Sequence, residues 1–194
     1  MRHPSWGTVV VFMLTGSVLT ACGGLEESAA PQPIEEPATA EQGLVTLVSC
    51  PIGSTVLNYS PPLKNTSQAV TTTGTTTYSN CYSLFGGVTS GNTPLNVFRP
   101  SFACSDLLDI GTTNSVVTWN TLETSTLTLT RLGARVEGLS VVFTHVGSVV
   151  SGKFEGATAI RTTTVLNTDL DACSSPEGLA RHSGTATLSL LGLL

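Results

Sequence analysis

Four carboxylates stand beside two cysteines. Asp106 and Asp109 follow Cys104, and Asp169 and Asp171 precede Cys173. A Cys104–Cys173 bond would bring all four into one neighbourhood. Oxygen-rich clusters suit calcium, and paired carboxylates can divide acid and base roles. The opposing reading buries Leu107, Leu108, Ile110 and Leu170 and leaves the aspartates as turn residues facing water. We adopt the second, so Asp106, Asp109, Asp169 and Asp171 stand only as calcium candidates and no metal ligand or catalytic residue is assigned. His145 lies in an apolar, β-branched run and His182 follows Arg181; both read as ordinary surface or interface residues. There is no Gly-x-Ser-x-Gly elbow, no His-Glu-x-x-His helix and no phosphate-cradling glycine loop, so no motif calls for a cofactor. Aromatic residues make up only 6% of the chain, few for stacking on sugar rings. Trp119 reads as a core or rim residue.

Cysteine supplies structure rather than chemistry. Beyond Cys22 there are Cys50, Cys81, Cys104 and Cys173. An even count without Cys-x-x-Cys spacing reads as two disulfides of an exported domain, not a metal site. Three pairings are possible, and Cys50–Cys81 with Cys104–Cys173 is the expected one. Each would stabilise by about 3–5 kcal/mol through loop closure.

The elements that must carry these residues are strands. Threonine, valine, serine and glycine dominate after residue 44, and β-branched residues favour strands. In 124–131, Thr126, Thr128 and Thr130 alternate with Leu127 and Leu129, which predicts one wet and one buried face. Runs 139–150 and 154–166 complete an expected three-stranded meander, with a turn at Ser151-Gly152. Further strands are expected at 44–50, 55–59, 69–78, 95–98, 115–120 and 184–191. The threonine-rich 71–77 stretch reads as an exposed, edge-like strand. No window of 11 or more residues after the N-terminal segment has helical periodicity. The expected fold is all-β: a single antiparallel β-sandwich, with a closed barrel as the alternative.

The first 43 residues are different material. Arg2 precedes an apolar run from Gly7 to Ala21, shorter than the roughly 20 residues of a membrane-crossing helix. It ends in Leu19-Thr20-Ala21-Cys22, which resembles the lipobox of bacterial lipoproteins. That resemblance implies a signal peptide over 1–21 and a diacylglyceryl thioether on Cys22, two or more acyl chains being a stable anchor. It also implies a place in the cell envelope, at the outer membrane or cell surface. Residues 22–43 carry Glu26, Glu27, Glu35, Glu36 and Glu41 with Pro31, Pro33 and Pro37 and no Lys or Arg. This composition predicts a disordered acidic tether ahead of one domain over 44–194. The stretch from Cys50 onward is similar to small secreted bacterial β-rich domains of no assigned activity. Cys50-Pro51-Ile52-Gly53, Trp119-Asn120-Thr121, Ser151-Gly152-Lys153-Phe154 and Asp169-Leu170-Asp171-Ala172-Cys173 prompt that likeness. It brings no catalytic or binding residues with it.

The chain has 8 Lys+Arg against 13 Asp+Glu, a net charge of −5, and only 11% charged residues. Nothing there could neutralise a run of phosphates, so nucleic acid is not an expected partner. The expected role is that of a membrane-anchored surface lipoprotein with a non-catalytic binding or envelope-structural function. Its expected partners are the membrane, through Cys22, and an envelope or extracellular protein or glycan. The alternative is a calcium- or carbohydrate-binding module, or a small secreted hydrolase, with a site near the four aspartates.

Overall fold

The computed structural model describes residues 43–193. Cys22, the 1–21 signal and nearly all of the 22–43 tether lie outside the described residues. Ten strands follow in order: β1 (Leu44–Cys50), β2 (Ile52–Leu63), β3 (Gln68–Ser79), β4 (Tyr82–Ser83), β5 (Gly91–Phe102), β6 (Thr112–Trp119), β7 (Thr124–Glu137), β8 (Ser140–Gly152), β9 (Thr158–Leu166) and β10 (Leu179–Leu193). The expected meander is β7–β8–β9, paired antiparallel in sequence order. Among the described residues helix is confined to two connections. One holds a single 3-10 turn, Ser105–Leu107; the other holds α1 (Asn167–Asp171) and a 3-10 turn, Ala172–Ser174.

Of the two expected all-β architectures, the chain forms the barrel. Strands β2, β3, β5, β6, β7, β8, β9 and β10 pair in that order, and β10 returns to β2. A sandwich would leave edge strands; closure gives every one of these strands two neighbours. The length of β10 permits this. Its first half pairs with β2, from Leu179 opposite Leu63 to Thr185 opposite Ser54. Its second half pairs with β1, from Leu188 opposite Cys50 to Leu193 opposite Leu44. Gly184 serves this crowded strand, because a Cβ there would overlap the Thr164 carbonyl of β9.

Alternation sets the two faces. Outward positions carry small polar groups that meet across strands: Ser54 Oγ lies 3.0 Å from Thr77 Oγ1, and Thr112 Oγ1 lies 3.1 Å from Thr130 Oγ1. Most of the buried positions are apolar. The threonine-rich strand differs from its expected place. β3 is no edge; it sits between β2 and β5, and it turns Thr72 and Thr76 inward, 2% and 9% exposed. Threonine suits this wall because its hydroxyl pairs across strands, as Thr55 Oγ1 and Thr76 Oγ1 do at 2.9 Å.

The interior is layered. At one end Val48, Val117, Trp119, Leu127, Leu129 and Leu188 form an apolar plug that also holds Cys50 and Cys81. At the other, Leu63, Val70, Phe102, Leu107 and Leu179 form a second plug around Cys104 and Cys173. Both expected disulfides are present. Cys50–Cys81 ties β1 to the segment after β3. Cys104–Cys173 joins the two helix-bearing connections into one cap.

Candidate functional site in the barrel interior

Between the plugs each strand changes character. Along β7, Leu127 and Leu129 give way to Arg131; along β9, Ala159 is followed by Arg161; along β10, His182 lies between Leu179 and Ala186. Arg131 is opposite His145 across β7–β8, and His145 is opposite Arg161 across β8–β9. The ladder therefore sets a guanidinium, an imidazole and a guanidinium side by side on three neighbouring strands. A bulge between Arg131 and Gly133 helps hold this register. Gly133 takes φ 148° there, a conformation that favours glycine.

These side chains line a cavity of about 130 Å³. Its polar wall includes Tyr59, Arg99, Arg131, His145, Arg161 and His182, with Thr55, Thr72, Thr76, Thr93, Thr113 and Thr163 between them. Leu57, Leu95, Phe102, Leu107, Phe143 and Leu170 form the apolar part. Leu107 and Leu170 come from the disulfide-joined cap. Among the described residues no carboxylate lines the space. An eight-stranded barrel has an interior just wide enough to be filled by side chains or to hold one small ligand.

Two of the three arginines are held by neutral groups. Arg99 donates to Thr72 Oγ1 at 3.2 Å and stacks over Phe102, 4.4 Å from the ring centre. Arg131 donates to the Leu107 carbonyl and, at 3.2 Å, to that of Asp109, and lies 5.2 Å from the Phe143 ring centre. Among the described residues the ion pairs are Arg135–Glu137 and Lys153–Glu123; none involves Arg99, Arg131 or Arg161.

The imidazoles are neutral. Burial, with repulsion from Arg161 and Arg131, pulls His145 from 6.5 down to about 3. Burial lowers His182 too, with Asp169 pulling upward and Arg131 downward. Tyr59 stays protonated, because burial raises its pKa far more than Arg99 and Arg131 lower it; its hydroxyl lies 3.0 Å from His182 Nδ1. Arg131 Nε donates to His145 Nε2 at 3.4 Å, which places the imidazole proton on Nδ1. That buried Nδ1, Arg161 Nε and the hydroxyls of Thr93 and Thr113 find no partner among the described residues. Buried polar groups are otherwise almost always hydrogen-bonded.

A neutral buried histidine makes stability depend on pH. The unfolded chain takes up a proton on His145 below about pH 6.5, and the folded protein does not until about pH 3. Stability is therefore complete above pH 6.5 and falls as pH drops through that window, by about 1.4 kcal/mol per pH unit. His182 acts in the same direction. Urea unfolding at neutral pH and near pH 5 should differ by about 2 kcal/mol on account of His145, and His145→Gln should remove that share. An unchanged slope in the variant would assign the titration to other groups.

The structure moves both histidines from their expected surface positions to the interior, 4% and 6% exposed. It also buries Trp119, at 1% exposed, where it cannot serve as a sugar platform. The Cys104–Cys173 bond does join the segments carrying Asp106, Asp109, Asp169 and Asp171. Their side chains do not converge, however. Among the described residues no group of three or more His, Cys, Asp or Glu side chains is placed to hold a metal ion. Asp106 instead accepts from the Ala103 N–H at 2.7 Å and fixes the start of its own turn. Arg99, Arg131 and Arg161 entered the sequence reading only as part of a charge total. The signal for Arg131 was its phase, two residues beyond Leu129 on the buried side of β7.

Fold and interior together define a class: a closed, eight-stranded antiparallel barrel with a cationic, partly apolar cavity under a disulfide-linked cap. Compared with known proteins, the chain matches no family model, no curated protein sequence and no solved structure.

Proposed function

We propose that this protein is an exported, membrane-anchored binding protein whose barrel holds a small molecule in its interior. The cavity between the two apolar plugs carries the reading, because a barrel serving only as a spacer has no need of buried, unpartnered donors. Two disulfides support an oxidising compartment, and the lipobox-like Leu19-Thr20-Ala21-Cys22 supports an anchor at Cys22. The division of labour is simple: lipid fixes location and the barrel retains a ligand. Catalysis is not part of the proposal.

The test uses the full chain, expressed with its own N-terminus in a bacterium and extracted in mild detergent. Mass spectrometry should show a chain beginning at Cys22 with diacylglyceryl on it, and Cys22→Ala should shift the protein out of the membrane fraction. A soluble, unacylated wild-type chain would overturn the anchor. Native spectra should show a small-molecule adduct, carried over or added, that departs on unfolding. A barrel that takes up neither neutral nor charged small molecules would overturn the binding role.

A further inference from the structure

Resting on that binding role, we infer that the ligand is an organic anion: a carboxylate on a short apolar body, received by Arg131, Arg161 and the hydroxyls beside them. Three observations converge on this chemistry. First, three guanidinium groups face one cavity with no carboxylate on its wall and no ion pair to any of them. Guanidinium remains charged at any physiological pH, so the interior is cationic. Second, the unpartnered atoms on this wall can all donate: His145 Nδ1, Arg161 Nε, and the Thr93 and Thr113 hydroxyls. A group of donors is complemented by an acceptor-rich ligand, and charge-assisted bonds to a carboxylate are the strong case. Third, Leu57, Leu95, Phe143 and Leu170 line the same space, which an inorganic ion would leave in contact with nothing apolar.

Asp109 and Asp169 act on this site from outside it. Burial lowers the pKa values of Arg131 and His182, Asp109 and Asp169 opposing that shift only in part, and neither carboxylate lines the cavity. They moderate the interior field without supplying the counter-charge that a bound carboxylate would bring.

The experiment is thermal unfolding of the full mature chain in detergent, at constant ionic strength, with four probes: butyrate, benzoate, their neutral counterparts butanol and benzyl alcohol, and inorganic phosphate. The expected result is a saturable rise in Tm with a carboxylate and none with its alcohol. In Arg161→Met the half-saturating concentration should rise about tenfold or more, the usual weight of a charged hydrogen bond. Arg131→Met is the second variant should the first fail to fold, and Arg181→Met, at an exposed position, should respond like the parent. If the alcohols stabilise as well as the acids, the binding role stands and the anionic assignment falls. Equal responses of parent and both cavity variants would have the same effect. A phosphate response matching butyrate would overturn the organic part of the inference. No response to any probe would remove both this inference and the binding role beneath it.

Discussion

Trp119→Ala is expected to lower the unfolding free energy by about 3–5 kcal/mol, the usual cost of removing a buried indole. Trp119 is 1% exposed and packs within the plug of Val117, Leu127 and Leu188. Phe154 meets it edge-on, with ring centres 5.8 Å apart. Its Nε1 donates to Ser125 Oγ at 2.8 Å, and Ser125 is itself fully buried. Truncation therefore opens a cavity and removes a donor from a buried hydroxyl at once. For a domain of this size the loss corresponds to a fall in Tm of about 10 °C. Trp119→Phe, which keeps most of the volume, should lose markedly less. A loss below about 1 kcal/mol for the alanine variant would mean that the plug recloses around the gap.

Replacing both Cys104 and Cys173 by serine should cost a comparable amount, about 4 kcal/mol. The two are 69 residues apart, and the entropy that a cross-link removes from the unfolded chain grows with loop length. Cys50 and Cys81, 31 residues apart, should contribute somewhat less. The double variant is the informative one, since it leaves no unpaired thiol to exchange. Its effect should also be local. The bond holds the segment of Leu107 to that of Leu170, and both leucines lie over the cavity. Amide hydrogen exchange around 105–108 and 167–173 should accelerate more than in β7 and β8. Uniform acceleration across the barrel would show that the bond acts on the unfolded chain alone, without fastening the cap.

Most of the fold could be read from the residues. The phase of Leu127 and Leu129 against Thr126 and Thr128 fixed which face of β7 is buried, and the same pattern in 184–191 did so for β10. The even cysteine count pointed to two disulfides, and of the three possible pairings the expected one is present. Closure could not be read. Whether the strands make two sheets or one cylinder depends on β10 reaching β2 as well as β9, a register fact with no local signature. The site was lost for the same reason. Arg99, Arg131 and Arg161 sit on β5, β7 and β9, and only closure brings them to one space. The aspartates drew attention because they are close in sequence to cysteines; Asp109 and Asp171 do face water, but Asp106 and Asp169 are half-buried, and Leu108 and Ile110, expected to be buried beside them, are exposed. Runs of threonine misled in the other direction: a residue that suits an exposed strand also suits a polar inner wall.

The way β1 is fastened has a mechanical consequence. β1 is a graft on the cylinder rather than one of its staves: it pairs with β10 on one side and touches β4 only at Val48 and Ser49 on the other. Tension arriving through the chain ahead of Leu44 would load this strand first and could peel its ladder from Leu44 onward. Peeling stops at Cys50, where the pull passes through a covalent bond to Cys81. The cylinder from β2 onward need not open, so a tug on the N-terminal side would be absorbed by one short strand, drawing only Val48 out of the apolar plug.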